Sequence, residues 1–126
     1  MIDHVSIAVR DLHAAEPFYT ALLAPLGMTK LREWPNAAVG YGKQYPEFWI
    51  NLRGGMARIA DDSGAHICLR ASDTKAVDDF HAAALKAGGT TDGAPGLRPE
   101  YHGRYYAAFV RDPDGNRIEA VTFLRD

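Results

Sequence analysis

The chain has a single cysteine, Cys68, so no internal disulfide can form and packing must hold the fold together. That usage suits a reducing compartment, and the expected location is cytoplasmic. Clustered basic charge is also missing. Fourteen Lys and Arg stand against sixteen Asp and Glu, for a formal net charge of -2, and no basic run occurs. Nucleic-acid and anionic-membrane surfaces need concentrated Lys and Arg, so neither partner is expected. No apolar stretch reaches membrane-spanning length. The opening MIDHVSIAV runs directly into a strand pattern, without the basic stretch and apolar core of a signal peptide. Low-complexity segments are absent. What is left is a chain of ordinary globular composition.

At 126 residues with 47% hydrophobic content, the chain suits one domain, residues 1–126. A domain of this size buries roughly two-thirds of its unfolded surface, enough for a core without staples. An internal repeat organises it. Shifted by 62 residues, His4 falls on His66, Asp11 on Asp73, Ala14 on Ala76, Phe18 on Phe80, Leu23 on Leu85 and Gly27 on Gly89. At a shift of 68, Tyr41 meets Phe109, Ile50 meets Ile118, and Asn51 meets Glu119. The extra residues fall between Pro95 and Gly103, where Gly, Pro and polar residues predict a loop.

Each half reads strand, helix, then three strands. The first module covers about 1–57, with strands near 2–9, 28–34, 37–42 and 47–53 and a helix near 12–24. The second covers about 64–126, with strands near 65–71, 89–92, 105–111 and 116–123 and a helix near 74–87. Asp11 and Asp73 sit at the helix N-cap positions, where their carboxylates can accept orphan backbone N–H groups. Phe18, Leu22, Phe80 and Leu85 are predicted to be core at helical spacing. Pro17 conflicts with a helix that begins at Asp11 and predicts a later start or a kink. The segment GGTTDGAPG reads as a turn-rich loop, and RGGMARIADDSG as a connector. The fold class that follows is α+β: two βαβββ modules forming a curved, partly closed mixed sheet with the helices outside.

Side chains alternate across a strand. His4, Ser6 and Ala8 therefore share one face, as do His66, Cys68 and Arg70, and as do Arg117, Glu119 and Val121. In each case a ligand-type side chain lies opposite the apolar, helix-packed face. Two imidazoles and one carboxylate, His4, His66 and Glu119, are a common set for Zn, Ni, Mn or Fe(II), with positions left open for substrate.

Four segments carry a resemblance that spans nearly the whole chain: DHVSIAVRDL at 3–12, FYTALLAPLGM at 18–28, HICLRASD at 66–73 and FVRDPDGNRIEAV at 109–121. The chain resembles the vicinal-oxygen-chelate superfamily of glyoxalase I, fosfomycin-resistance proteins, extradiol dioxygenases and bleomycin-resistance proteins. The resemblance implies that the turn Asp112-Pro113-Asp114-Gly115-Asn116 precedes the last strand. It also implies that His4, His66 and Glu119 hold one divalent metal, that Glu119 takes part in catalysis, and that the protein is a homodimer, in some relatives with modules exchanged between chains. One departure stands out. Glyoxalase I resemblance implies an acid on the fourth strand that serves as ligand and base, and Asn51 occupies that place. An amide takes no proton at neutral pH. Glu47 shares its face with Trp49 and Asn51 and is the alternative acid.

The remaining candidates line the expected cavity. Arg70 either pairs with a substrate carboxylate or phosphate, or forms a structural salt bridge. Trp49 and Asn51, with Tyr41 and Tyr45, are placed on one wall. Tyr101, His102, Tyr105 and Tyr106, in the segment LRPEYHGRYY, are placed on the other. Cys68 reads as a small buried residue. Two functions follow: a divalent-metal enzyme of lyase, thiol-transfer or dioxygenase type acting on a small oxygenated substrate, or a metal-free protein that sequesters a small molecule, as the bleomycin-resistance resemblance implies.

Overall fold

The computed structural model describes residues 1–125. Strand β1 (Val5–Val9) leads into helix α1 (Leu12–Leu23) and a 3-10 turn at Ala24–Leu26, then β2 (Thr29–Trp34), β3 (Ala38–Gly42) and β4 (Phe48–Leu52). The second half repeats the order with β5 (Ile67–Arg70), α2 (Thr74–Lys86), β6 (Thr90–Leu97), β7 (Tyr105–Arg111) and β8 (Arg117–Phe123). The strands form two four-stranded mixed sheets, ordered β1-β4-β3-β2 and β5-β8-β7-β6. In each, the first strand runs parallel to the last and the other pairs are antiparallel. The α+β class and the paired βαβββ order are as expected. Neither sheet closes on itself.

The helices start where their caps dictate. Asp11 accepts from Ala14 N at 3.1 Å and Asp73 from Ala76 N at 2.8 Å. Each cap satisfies a donor that the helix itself leaves unpaired, worth about 1 kcal/mol. The cap at Asp11 settles the conflict raised by Pro17: helix α1 begins at Leu12 and runs through the proline. Gly27, at φ 81°, ends the 3-10 turn in the left-handed conformation that glycine adopts without a Cβ penalty.

Between sheets and helices lies one core. Helix α1 buries Ala15, Phe18, Tyr19, Leu22 and Leu23, and α2 buries Ala76, Val77, Phe80, His81 and Ala84. Phe48, Ile50, Val110 and Ile118 meet them from the sheets. Leu85 departs from expectation: it is 40% exposed, because its position on α2 turns away from the face that carries Phe80 and Ala84. A second correction concerns GGTTDGAPG, of which residues 90–96 belong to strand β6, paired with β7. Its register shifts between Thr91 and Gly93 and between Gly93 and Gly96, so bulges take up the turn-forming residues without ending the strand.

A buried polar cluster ties the last hairpin to β1. Asp112 is 2% exposed and accepts from Tyr19 Oη at 2.5 Å, Asp114 N at 2.9 Å, Asn116 N at 2.8 Å and Asn116 Nδ2 at 2.9 Å. Asn116 Nδ2 also donates to Ala8 O at 2.9 Å, and Arg10 Nε to Asp114 Oδ1 at 2.7 Å. Gly115 turns the hairpin at φ 93°. The turn thus fixes the start of β8, which carries Glu119, against the end of β1, which follows His4.

Candidate functional site

The alternation read from the sequence holds in space. On the second sheet, His66, Cys68 and Arg70 project to the side away from α2, and β8 runs beside them with Cys68 paired to Glu119. His66 Nε2 lies 3.1 Å from Glu119 Oε1. The imidazole is 48% exposed and the carboxylate 3% exposed. Glu119 is buried because β8 is a central strand, and its neighbours close over it. Tyr105 Oη donates to its other oxygen, Oε2. One carboxylate oxygen is thereby held by the phenol, and the other is turned toward the histidine.

Cys68 is exposed rather than buried. Although the residue reaches the surface, the side chains packed around its sulfur desolvate the thiol, and this, then the nearby Glu119 carboxylate, pushes it up to about 12. It stays protonated at neutral pH and is not an activated nucleophile. Tyr105 is likewise pushed above the usual phenol range by burial, then by its bond to Glu119. Tyr101 packs edge-on against Tyr105 at 5.3 Å, and Phe123 meets both Tyr105 at 5.4 Å and His102 at 5.7 Å. His102 Nδ1 also accepts from Arg104 N at 3.1 Å. Sequence reasoning gave no weight to Phe123, yet it is the centre of this aromatic wall. The period-2 alternation from Glu119 through Val121 would have found it. Tyr106 does not belong here. Its hydroxyl donates to Asp78 on α2 at 2.6 Å, since it follows Tyr105 by one residue and must point to the helix side.

The first sheet presents its own open face. Asn51 Nδ2 donates to Ser6 Oγ at 2.7 Å and Ile7 O at 2.9 Å. The amide therefore pins β4 to β1 and offers no base. Trp49 lies across Gly40, where a Cβ would stand 2.9 Å from the indole. His4 is 53% exposed, and its Nδ1 bonds Asp3 Oδ1 at 2.6 Å. Tyr45 Oη donates to the same aspartate at 2.8 Å. One expectation fails on this side. Tyr41 is fully buried on the helix side, where its hydroxyl meets Thr20 Oγ1 and Glu16 O, each at 3.1 Å. Glu47 precedes β4 and lies on a cleft of about 350 Å³ that also takes in His4, Lys43, Cys68 and Arg70.

Within one chain the two halves of the ligand set stay apart. Among the described residues no three His, Cys, Asp or Glu side chains gather into a group able to hold a metal ion. His66 and Glu119 converge, whereas His4 is engaged with Asp3. Beyond His66, the second sheet's face continues into a pocket of about 340 Å³ bordered by Asp92, Arg98, Tyr101 and Arg117. No helix among the described residues is long and apolar enough to cross a membrane.

Comparison with known proteins agrees with this architecture. Residues 1–120 match the model of the Glyoxalase/Bleomycin resistance protein/Dioxygenase superfamily. A "Probable lactoylglutathione lyase" of Synechocystis sp. is 32% identical, over 94% of this chain and 92% of the relative. A protein of the same name from Vibrio parahaemolyticus is 33% identical, over 94% of this chain and 87% of the relative. The crystal structure of a glyoxalase/bleomycin resistance protein from Albidiferax ferrireducens superposes with a TM-score of 0.79 at 33% identity, covering 94% of this chain and 95% of that one. The chain belongs to the Glyoxalase/Bleomycin resistance protein/Dioxygenase superfamily.

Proposed function

We propose that the protein is a glyoxalase-like enzyme that holds one divalent cation and acts on a small oxygenated substrate. The observation that carries this reading is the His66–Glu119 pair: an imidazole nitrogen and a buried carboxylate oxygen, 3.1 Å apart on adjacent strands, with the second oxygen held by Tyr105. Ligating carboxylates are commonly oriented by such a partner. The donor chemistry fits Zn, Ni, Mn or Fe(II). A bound cation would supply Lewis-acid polarisation of substrate oxygens. Glu119 supplies a carboxylate at this site, whereas Asn51 spends its amide on Ser6 and Ile7.

The third ligand in this reading is His4 of a second copy, in a homodimer. Three features support it. His4 is half exposed, the two ligand groups stay apart within one chain, and large apolar side chains are exposed: Trp34 at 54%, Tyr101 at 62% and Phe123 at 40%. The functional unit is the pair of modules, about 1–57 and 64–126, and the cellular setting is the cytoplasm. The relatives' names point to lyase chemistry on a thiol adduct. Asn51 in place of an acid favours a second reading, a metal-free small-molecule binder.

Elemental mass spectrometry of the purified protein separates the two. About one equivalent of metal per chain is expected, lost in His4→Ala and in Glu119→Ala. Mixing the two single variants restores metal to one site per mixed dimer if ligands come from both chains. A 2-oxoaldehyde with thiols, epoxides and catechols are the substrates to screen. No metal after reconstitution with Zn, Ni, Mn and Fe(II) would overturn the enzyme reading and leave the binder.

A further inference from the structure

The two modules meet along α1 and α2, which pack against each other, and at the turn of residues 112–116. Apolar burial is non-directional and helix crossings scatter by roughly 15–20°, so the helix contact holds the modules together without fixing their angle. The turn is different. Its own bonds stiffen it: Asp112 N donates to Asn116 O at 2.9 Å and Gly115 N to Asp112 O at 3.0 Å, besides the two turn N–H groups that the Asp112 carboxylate accepts. From there it grips three points of the first module. Asn116 Nδ2 reaches Ala8 O on β1. Arg10, just past β1, donates from Nε to Asp114 Oδ1 at 2.7 Å and from Nη2 to Pro113 O at 3.2 Å. Tyr19 on α1 donates to Asp112. Hydrogen bonds have a required direction, so these contacts do fix an angle. The opposite end of the seam is open. Residues 2–5, at the start of β1, and residues 67–70 of β5 stand on either side of the cleft of about 350 Å³. Lys43 and Glu47 of the first module and Arg70 of the second border it, and among the described residues none of the three has an ion-pair partner. Arg70 rests instead on the Phe123 ring of its own module, at 5.0 Å, so the structural salt bridge that was one of its two expected roles is not formed. His4 lies at this unfastened end.

We infer that the turn 112–116 is the hinge that sets the angle between the modules, with Arg10, Tyr19 and Asn116 as its positioning residues. Two bodies fastened at one end of their seam and free at the other move about the fastened end. The angle held there decides where His4, at the free end, stands relative to the face that carries His66 and Glu119. In a two-fold dimer both chains share that angle, so an error in it displaces both sites at once. The placing of His4 rests on the metal reading above; the hinge itself does not.

The test reads the spacing of the modules directly. Spin labels go on Gln44→Cys and Lys75→Cys, both exposed and one in each module, on a Cys68→Ser background of the full-length chain. Labelled chains are diluted into excess unlabelled protein, so that pulsed EPR reads distances within one chain. The otherwise unchanged protein should give one narrow distance. Arg10→Met with Tyr19→Phe removes the side-chain grip and leaves the bonds within the turn intact. It should broaden the distribution and shift it by several ångström. Arg10→Met alone, at a partly exposed residue, should broaden it less, and serves if the double variant does not fold. Tyr106→Phe is the control: it removes a bond inside the second module, to Asp78, and should lower stability without moving the distance. Zinc affinity should fall by roughly ten-fold or more in the double variant, the size seen when the support of a ligand is lost, and stay unchanged in Tyr106→Phe. An unchanged distance in the Arg10 variants, or an equal change in Tyr106→Phe, overturns the hinge. A changed distance with undiminished zinc affinity overturns its placing of His4. If the unsubstituted protein binds no zinc, the metal reading fails and the distances still decide the hinge.

Discussion

Replacing Asp112 by alanine tests the connection between the two halves. The carboxylate accepts four hydrogen bonds while 2% exposed. Its loss strands the Tyr19 hydroxyl, on a side chain with no solvent exposure, and two turn N–H groups. Asn116 Nδ2 keeps Ala8 O. A buried donor left without a partner costs about 1–3 kcal/mol, and relief of a buried charge offsets part of the total, so Asp112→Ala should cost about 3–5 kcal/mol. Tyr19→Phe, which leaves Asp112 three donors, should cost about 1 kcal/mol. The double variant should cost less than the sum, because the stranded hydroxyl is gone. Urea unfolding followed by circular dichroism gives the values, with an unchanged m-value confirming two-state comparison. The pH dependence carries a definite sign. Burial, outweighing the bonds from Tyr19 and Asn116, raises the Asp112 pKa above its ordinary value of 3.8. The folded state therefore holds this proton more tightly than the unfolded chain does. The Asp112 contribution is complete below the unfolded pKa and is lost as pH rises through the higher folded value. The stability difference, wild type minus Asp112→Asn, should accordingly fall as pH climbs from about 3 through the acid range. A cost under about 1 kcal/mol for Asp112→Ala, or a difference that grows with pH, would refute the reasoning.

Two further outcomes follow from local geometry. Cys68 should react with a disulfide reagent at pH 8 at least about a hundred-fold more slowly than a free cysteine peptide, despite its exposure, because its thiol is held up to about 12. Thiol titration over time reads this directly, and a peptide-like rate would contradict it. Gly115→Ala should destabilise by about 1–3 kcal/mol: the residue sits at φ 93°, and a Cβ there would stand 2.9 Å from Ile59 O. A thermal midpoint equal to wild type would show that the turn relaxes at no cost.

What the sequence determined by itself is local and periodic. The repeat, the alternation that places His66, Cys68 and Arg70 on one face, and the caps at Asp11 and Asp73 depend only on neighbours along the chain, so they were legible. Tertiary structure decided the rest. Tyr105 and Tyr106 look alike in sequence, but one turns to Glu119 and the other to Asp78, which depends on strand register. Leu85 was read as core and is exposed, because the face α2 buries is set by how it meets α1 and β7. Phe123, the ring under Arg70, gains its role from a strand pairing more than fifty residues apart in the chain. Residue type and spacing name the groups that could react; only folding decides which of them meet, since contact between strands is set by register and packing rather than by proximity in sequence.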